Sequence, residues 1–407
     1  MISYNFPPFA DASAATVAKR IRDAANPVDV VSQNMSAIRS HDPQLERFVK
    51  PYVRHLTSVN VPPTFGAWRG IRNFVEVGYA AIADRLSEKR YLRMYSRSMF
   101  PASHVLAAYI KSRHPEIRWI AEFSDPIAHT VEGSRRSGGT FALDPFAVDF
   151  LERVAPDYAA VLAKEGCVFK WCEYLVYALA DVIGFTNEHQ RDEMIRAAED
   201  ESMRRAIFAR SIVDEHPTLP DSYYGPPSST TVATLPLRVG YFGEFYPNRG
   251  LGDLFAALSQ MAPETRQKIQ ADVYTSNPDR VLQVASEYGI ESCVEAHEAL
   301  PFMSFLRELR RVDFLFVNDV FPGGAYRENP YLPSKLSDYL GAGVPIISMI
   351  WPNSAMAKKR GLHHLLSGDI DGLRSLLMDA IVARGGACDT TAVARSEPTF
   401  KESSDAI

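Results

Sequence analysis

The chain has 407 residues, of which 46% are hydrophobic and 23% charged, a composition that excludes disorder and leaves room for two α/β domains. Its net charge of −5 gives no electrostatic footprint for nucleic acid. Cys167, Cys172, Cys293 and Cys388 form neither a CxxC pair nor a zinc-type spacing with histidine, so reduced thiols in a cytoplasmic protein are expected. No apolar run approaches the roughly 20 residues of a spanning helix, and the N-terminus lacks a signal-peptide pattern. Peripheral membrane contact stays open.

Taken in chain order, Ile2 to Phe6 reads as a buried strand running into a loop rich in proline and small residues. Helical periodicity then covers Ala14 to Ala25, with apolar Ala14, Val17, Ala18 and Ile21 on one face. A strand at Val28 to Ser32 completes a βαβ unit, hence a parallel sheet. Further strands are expected at Arg90 to Ser96, Arg118 to Phe123 and Asp181 to Thr186. Helices are expected at Ser103 to Ser112, along a long stretch from Asp144 to Leu179, and at Asn187 to Ala197. The segment His216 to Thr234, with Pro217, Pro220, Pro226 and Pro227, reads as a linker. The alternation then restarts. Strands are expected at Leu237 to Phe242, Gln270 to Thr275, Asp313 to Val317 and Val344 to Ile350. Helices are expected at Leu251 to Met261, Phe302 to Arg310 and Ser334 to Gly341. The reading is two doubly wound Rossmann-like domains, 1–225 and 235–385, facing a cleft, followed by a poorly ordered tail over 386–407.

Ligands of open α/β sheets bind beyond the carboxyl ends of the strands, so the loops after strands hold the candidates. Asn329-Pro330-Tyr331-Leu332-Pro333-Ser334-Lys335-Leu336-Ser337-Asp338-Tyr339-Leu340-Gly341-Ala342-Gly343-Val344-Pro345-Ile346 is the most informative of them. Pro333 and Ser334 can open and cap a helix whose free N–H groups suit an anion, Lys335 adds positive charge there, and Asp338 could accept hydrogen bonds from ribose hydroxyls. Gly341 and Gly343 close the helix and let the next strand pack tightly. Earlier, Glu122-Phe123-Ser124-Asp125-Pro126 ends a strand, with His129 shortly after. Asp125 could orient or deprotonate an acceptor hydroxyl, or form an ordinary Asp-Pro turn.

The Pro333 to Ile346 segment resembles the donor site of retaining glycosyltransferases of the GT-B fold, family GT4. Tyr241-Phe242-Gly243-Glu244-Phe245-Tyr246-Pro247-Asn248-Arg249-Gly250-Leu251 resembles that family's glycine loop and basic residue. Ile2 to Pro8 with Ser13, and Asp181 to Asn187, resemble its first strand and its last N-domain strand. The resemblance implies a transferase that moves a sugar from a UDP- or GDP-sugar to a glycan or lipid-linked glycan acceptor with retention, in cell-surface polysaccharide or glycoconjugate synthesis. It implies Gly243, Arg249, Asn329, Ser334, Lys335 and Asp338 as donor contacts, Asp125 and His129 as catalytic candidates, and no cofactor and no metal. The donor loops carry no Asp-x-Asp triplet. Two departures stand out: Glu244 occupies the usual arginine position, and Pro330 stands where the family's first acidic residue lies, which leaves Glu328 or Asn329 as the candidate replacement. A sugar-nucleotide epimerase and a non-catalytic partner subunit of the same fold are the alternatives.

Overall fold

In the computed structural model, residues 1–136, 141, 143–226, 235–244, 250–320 and 326–386 are described. The first sheet contains β1 (Ile2–Ser3), β2 (Val28–Gln33), β3 (Val53–Val59), β4 (Arg93–Ser98), β5 (Arg118–Phe123), β6 (Val182–Phe185) and β7 (Ser211–Val213). The second contains β8 (Leu237–Phe242), β9 (Ile269–Thr275), β10 (Val294–Glu298), β11 (Phe314–Asn318), β12 (Ile346–Ile350) and β13 (His363–Leu366). Their spatial orders are β3-β2-β1-β4-β5-β6-β7 and β10-β9-β8-β11-β12-β13, and every named pairing is parallel. In each sheet the order reverses beside the first strand, β1 or β8. That reversal opens the crevice where an α/β sheet takes its ligand.

The long helical stretch expected over 144–179 is three helices, Pro145–Leu151, Pro156–Leu162 and Val168–Leu179. Pro156 occupies the first turn of the second, where its missing N–H costs nothing. The strand placed at 90–96 lies at 93–98. That shift matters, because it brings Arg97 into the sheet opposite Glu122.

The segment 216–225 does not run free between the domains. Leu219 and Tyr224 are buried in a core that joins Val17, Ile21 and Leu45 of the first domain to Phe302, Leu306 and Tyr339 of the second. The helix Lys335–Ala342 ends on Gly343 at φ +68, a left-handed cap that glycine tolerates without penalty. Gly341 has a different reason from the one expected. A Cβ there would overlap the Tyr224 hydroxyl, so the glycine makes room for the crossover segment rather than for the next strand.

Polar bonds also cross between the domains. Lys19 Nζ donates to Asp338 Oδ1 at 2.9 Å and to Ser337 Oγ at 3.0 Å. Asn187 Nδ2 donates to the Pro330 carbonyl at 3.0 Å, and Tyr331 Oη to the Thr130 carbonyl at 3.0 Å. Asp42 caps its own helix through Oδ1, which accepts from Gln44 and Leu45 N–H, while its Oδ2 accepts from Phe302 N–H at 2.8 Å. The Gln44 side chain meets Ser304 in the same way, its Oε1 accepting from the Ser304 N–H at 3.0 Å.

Candidate active site in the interdomain cleft

The helix Ala12–Ala24 starts just after β1, and Asp11 caps it by accepting from Ser13 N–H at 2.7 Å. Asp11 is itself held by Arg39 at 3.1 Å. Across the cleft the helix Lys335–Ala342 begins at Ser334. Between these two N-termini lies a cavity of about 120 Å³, lined in part by Ser13, Arg97, Asp125, His216, Leu332 and Ser334. Two helix starts and a guanidinium around one small space make it a place for an anionic or strongly polar group.

Arg97 is 3% exposed, and its position is fixed by Glu122, which accepts from its Nε at 2.9 Å, and by Ser13 Oγ, which accepts from Nη1 at 2.7 Å. Glu122 also accepts from Arg20 Nε at 3.0 Å and Tyr95 Oη at 2.7 Å. Burial, with Glu122 next in importance, pushes the Tyr95 phenol well above its ordinary range, so it serves as a neutral donor. His216, from the crossover segment, is held well below its usual value by burial and then by the charges of Arg97, Lys19 and Arg20. A neutral imidazole therefore faces the cavity at physiological pH.

On the donor side, the loop after β8 and the start of the Lys335 helix are in contact. Gly243 has φ +138, and a Cβ added there would stand 2.8 Å from Lys335 Nζ. The backbone conformation requires glycine at this point, and the absent side chain leaves room for the end of the lysine. Lys335 Nζ lies 3.8 Å from the centre of the Tyr241 ring, and Phe242 N–H donates to Tyr339 Oη at 3.0 Å, which ties that helix to the end of β8. Ser334 lines the cavity, but its side chain makes no cap hydrogen bond, contrary to the role expected for it.

The other expected positions divide. Asp125 lines the cavity from the loop after β5. His129 does not; its ring packs edge-on at 6.5 Å from Tyr326, and its pKa is lowered by burial first and then by Lys170, Arg135 and Arg136. Asn329 is 4% exposed and turned into its own loop, donating to Val320 O and accepting from Tyr331 N–H. These bonds shape its own loop. Glu328 stands 3.6 Å from His189, and its N–H donates to Glu193. The Asp338 carboxylate is buried against Lys19 and does not line the cavity. Arg249 and the tail beyond residue 386 lie outside the described residues.

The chain does contain one Asp-x-Asp triplet, Asp369-Ile370-Asp371, away from the donor loops. There Asp369 Oδ1 accepts from Gly372 N–H at 2.9 Å, and Asp371 pairs with Arg374 at 2.8 Å, so the triplet opens and decorates a helix.

Arg97, Glu122 and His216 were not singled out from sequence. The available signal was a charged residue inside each of two strands that are otherwise fit for burial, Arg97 in β4 and Glu122 in β5, in register with one another.

The Asp125 loop is itself held by a buried acid. Glu173 Oε1 accepts from Ile127 N–H at 2.9 Å and Ala128 N–H at 2.8 Å. Burial raises its pKa to about 7, against the lowering effect of those two N–H groups and of Lys170 and Arg136. A carboxyl raised in the folded state contributes stability that is fully present below its unfolded pKa and lost as pH rises through 7. Glu173→Gln keeps an acceptor for both amides and removes the charge. It is expected to flatten the dependence of melting temperature on pH between about 4.5 and 7, and an unchanged slope in thermal melts would refute this role.

No protein-family model matches the chain, and no curated protein matches it in sequence. Solved structures do match it in shape. The Anabaena protein HepE, in complex with UDP and glucose, is 14% identical with a TM-score of 0.58, over 95% of this chain and 94% of that one. Sucrose-phosphate synthase from Thermosynechococcus elongatus is 12% identical with a TM-score of 0.60, over 95% and 90%. The lipopolysaccharide outer core galactosyltransferase WaaB, in its apo form, is 13% identical with a TM-score of 0.52, over 94% and 89%. The fold is GT-B. The likeness runs through both domains, and the cavity between the two helix starts lies in the interdomain cleft of that fold. Among the described residues no helix is long and apolar enough to cross a membrane.

Proposed function

We propose that the protein transfers a glycosyl group from a nucleoside-diphosphate sugar to an acceptor hydroxyl in this cleft, with retention, as a GT4-like glycosyltransferase of cell-surface polysaccharide or glycoconjugate synthesis. The observation that carries the reading is the meeting of two helix N-termini, Ser13 on one side and Ser334 on the other, around a small cavity, with Lys335, the residue after Ser334, reaching back to Gly243 at the end of β8. The resemblance of the Pro333 to Ile346 segment supports it, as does the presence of UDP and glucose in the HepE structure.

In this reading the bond from the anomeric carbon to the diphosphate oxygen breaks while the acceptor oxygen bonds to the same carbon. Lys335, the N–H groups at the start of its helix and, in the loop after β8, Arg249 stabilise the negative charge left on the diphosphate, so no metal is needed. Asp125 holds the acceptor hydroxyl and receives its proton. The acceptor is a glycan or lipid-linked glycan. Asp338 contributes from behind, by fixing the helix that presents Lys335, and a direct bond to ribose would require Lys19 to release it.

Lys335→Ala tests the donor side. Loss of a charge-assisted bond worth about 1.5–3 kcal/mol is expected to weaken UDP binding tenfold or more in calorimetry, with the melting temperature little changed. Unaltered UDP affinity would remove Lys335 from the donor site. The anomeric configuration of the product, read by NMR, tests retention.

A further inference from the structure

A second cluster of ligating side chains lies on the other domain's sheet, apart from the residues that line the cavity. Asp272 is in the middle of β9, and Glu295 is its direct partner on β10; His297 follows two residues later, on the same face of β10. One ligating atom from each of the three lies within 4.8 Å of the others. Asp272 is fully buried, and its Oδ1 has no hydrogen-bond partner. His297 Nε2 is likewise buried without one, and the two atoms face each other at 3.7 Å. The same nitrogen is 3.7 Å from Glu295 Oε2.

These separations are too long for hydrogen bonds. They are close to the spacing of about 3.3–3.5 Å between neighbouring ligands of a tetrahedral metal ion with bonds near 2.0–2.1 Å. Two carboxylates directly opposite one another on adjacent strands repel, and Arg238, paired with Asp272, offsets only that one of the two charges. The surroundings are those of a ligand set already oriented. Arg238 Nε holds the second oxygen of Asp272 at 2.9 Å, which turns Oδ1 toward the imidazole. The His297 ring stacks on Tyr274 at 4.6 Å and 25°. Fixed outer partners of this kind set the direction of ligating side chains.

We propose that Asp272, Glu295 and His297 bind one divalent transition-metal ion, zinc being the best fit to two oxygens and one imidazole nitrogen, as a structural clasp joining β10 to β9 at the edge of the second sheet. The fourth position is left to water. Glu295 and His297 are partly open to solvent, which gives the ion a way in.

The test uses the tag-free full chain stripped of metal. Titration with Co²⁺ is expected to give the visible absorption of a four-coordinate site saturating at about one equivalent, and Zn²⁺ to displace it and raise the melting temperature. His297→Ala and Glu295→Gln, both at accessible positions, are each expected to weaken Co²⁺ binding about tenfold or more, with the metal-free melting temperature serving as the check on folding. UDP affinity is measured alongside, so that failure of the metal site is distinguishable from failure of the donor site. Absence of Co²⁺ uptake by the wild-type chain, or uptake unaffected by both substitutions, would overturn the proposal.

Discussion

Lys19→Met is expected to destabilise the protein by about 3–5 kcal/mol, because it leaves a buried carboxylate without its counter-charge. Lys19 and Asp338 are 1% and 9% exposed at their side chains and come from different domains. Even with Lys19 present, burial raises the Asp338 pKa above its ordinary value, and the lysine only partly offsets it. Desolvation therefore dominates this pair. In the Lys19→Met variant nothing opposes it, so folding takes up a proton at Asp338. The variant's deficit should be largest at neutral pH and shrink as the pH falls below the raised pKa. Lys19→Met combined with Asp338→Leu removes both charges and should recover most of the loss. Denaturant melts of the single and double variants across pH decide the matter. A single variant as stable as wild type at pH 8 would show that water reaches the pair.

Asp125→Asn is expected to lower turnover by about 10²-fold, the usual size of a lost proton acceptor, with UDP affinity nearly unchanged. The substitution keeps the size of the side chain and some of its hydrogen bonding. Asp125 lines the cavity from the first domain, and Pro126 restricts the turn behind it. Transfer rate and donor binding measured in the same variant separate the roles. Full activity in Asp125→Asn would leave a positioning role only, and full activity in Asp125→Ala would make the residue an ordinary turn former.

The alternation of strands and helices was legible because buried parallel strands are continuous apolar runs, and loops between them carry glycine and proline. What escaped was context-dependent. The sheet edges β7, β10 and β13 are short or polar, and the region from 41 to 89, with β3 and its helices, lacks a strong run of that kind. Gly243, Ser334, Lys335 and Asp125 were picked out as candidates by their place after strands, a rule that follows from topology, and of these Ser334 and Asp125 line the cavity. Arg97, Glu122 and His216 needed the register between β4 and β5 and the path of the crossover segment, and neither is written in local sequence. Asp338 shows the limit from the other side. Its spacing from Lys335 suggested a ligand contact, whereas its partner lies at residue 19, more than three hundred positions away.

The helix Phe302–Glu308 starts after Pro301, whose side chain cannot cap it, and its first amides are bound by Asp42 and Gln44 from the other domain. Those two N–H groups are therefore hydrogen-bonded only while the domains touch at this point. Their exchange with deuterated water is a clock for separation there. If the cleft opens by pivoting about the Asp42 contact, the amides of Phe302 and Ser304 stay protected through every opening. If the domains part completely, they exchange at the frequency of parting, and the lifetime of the assembled cleft can be read from two peptide protons.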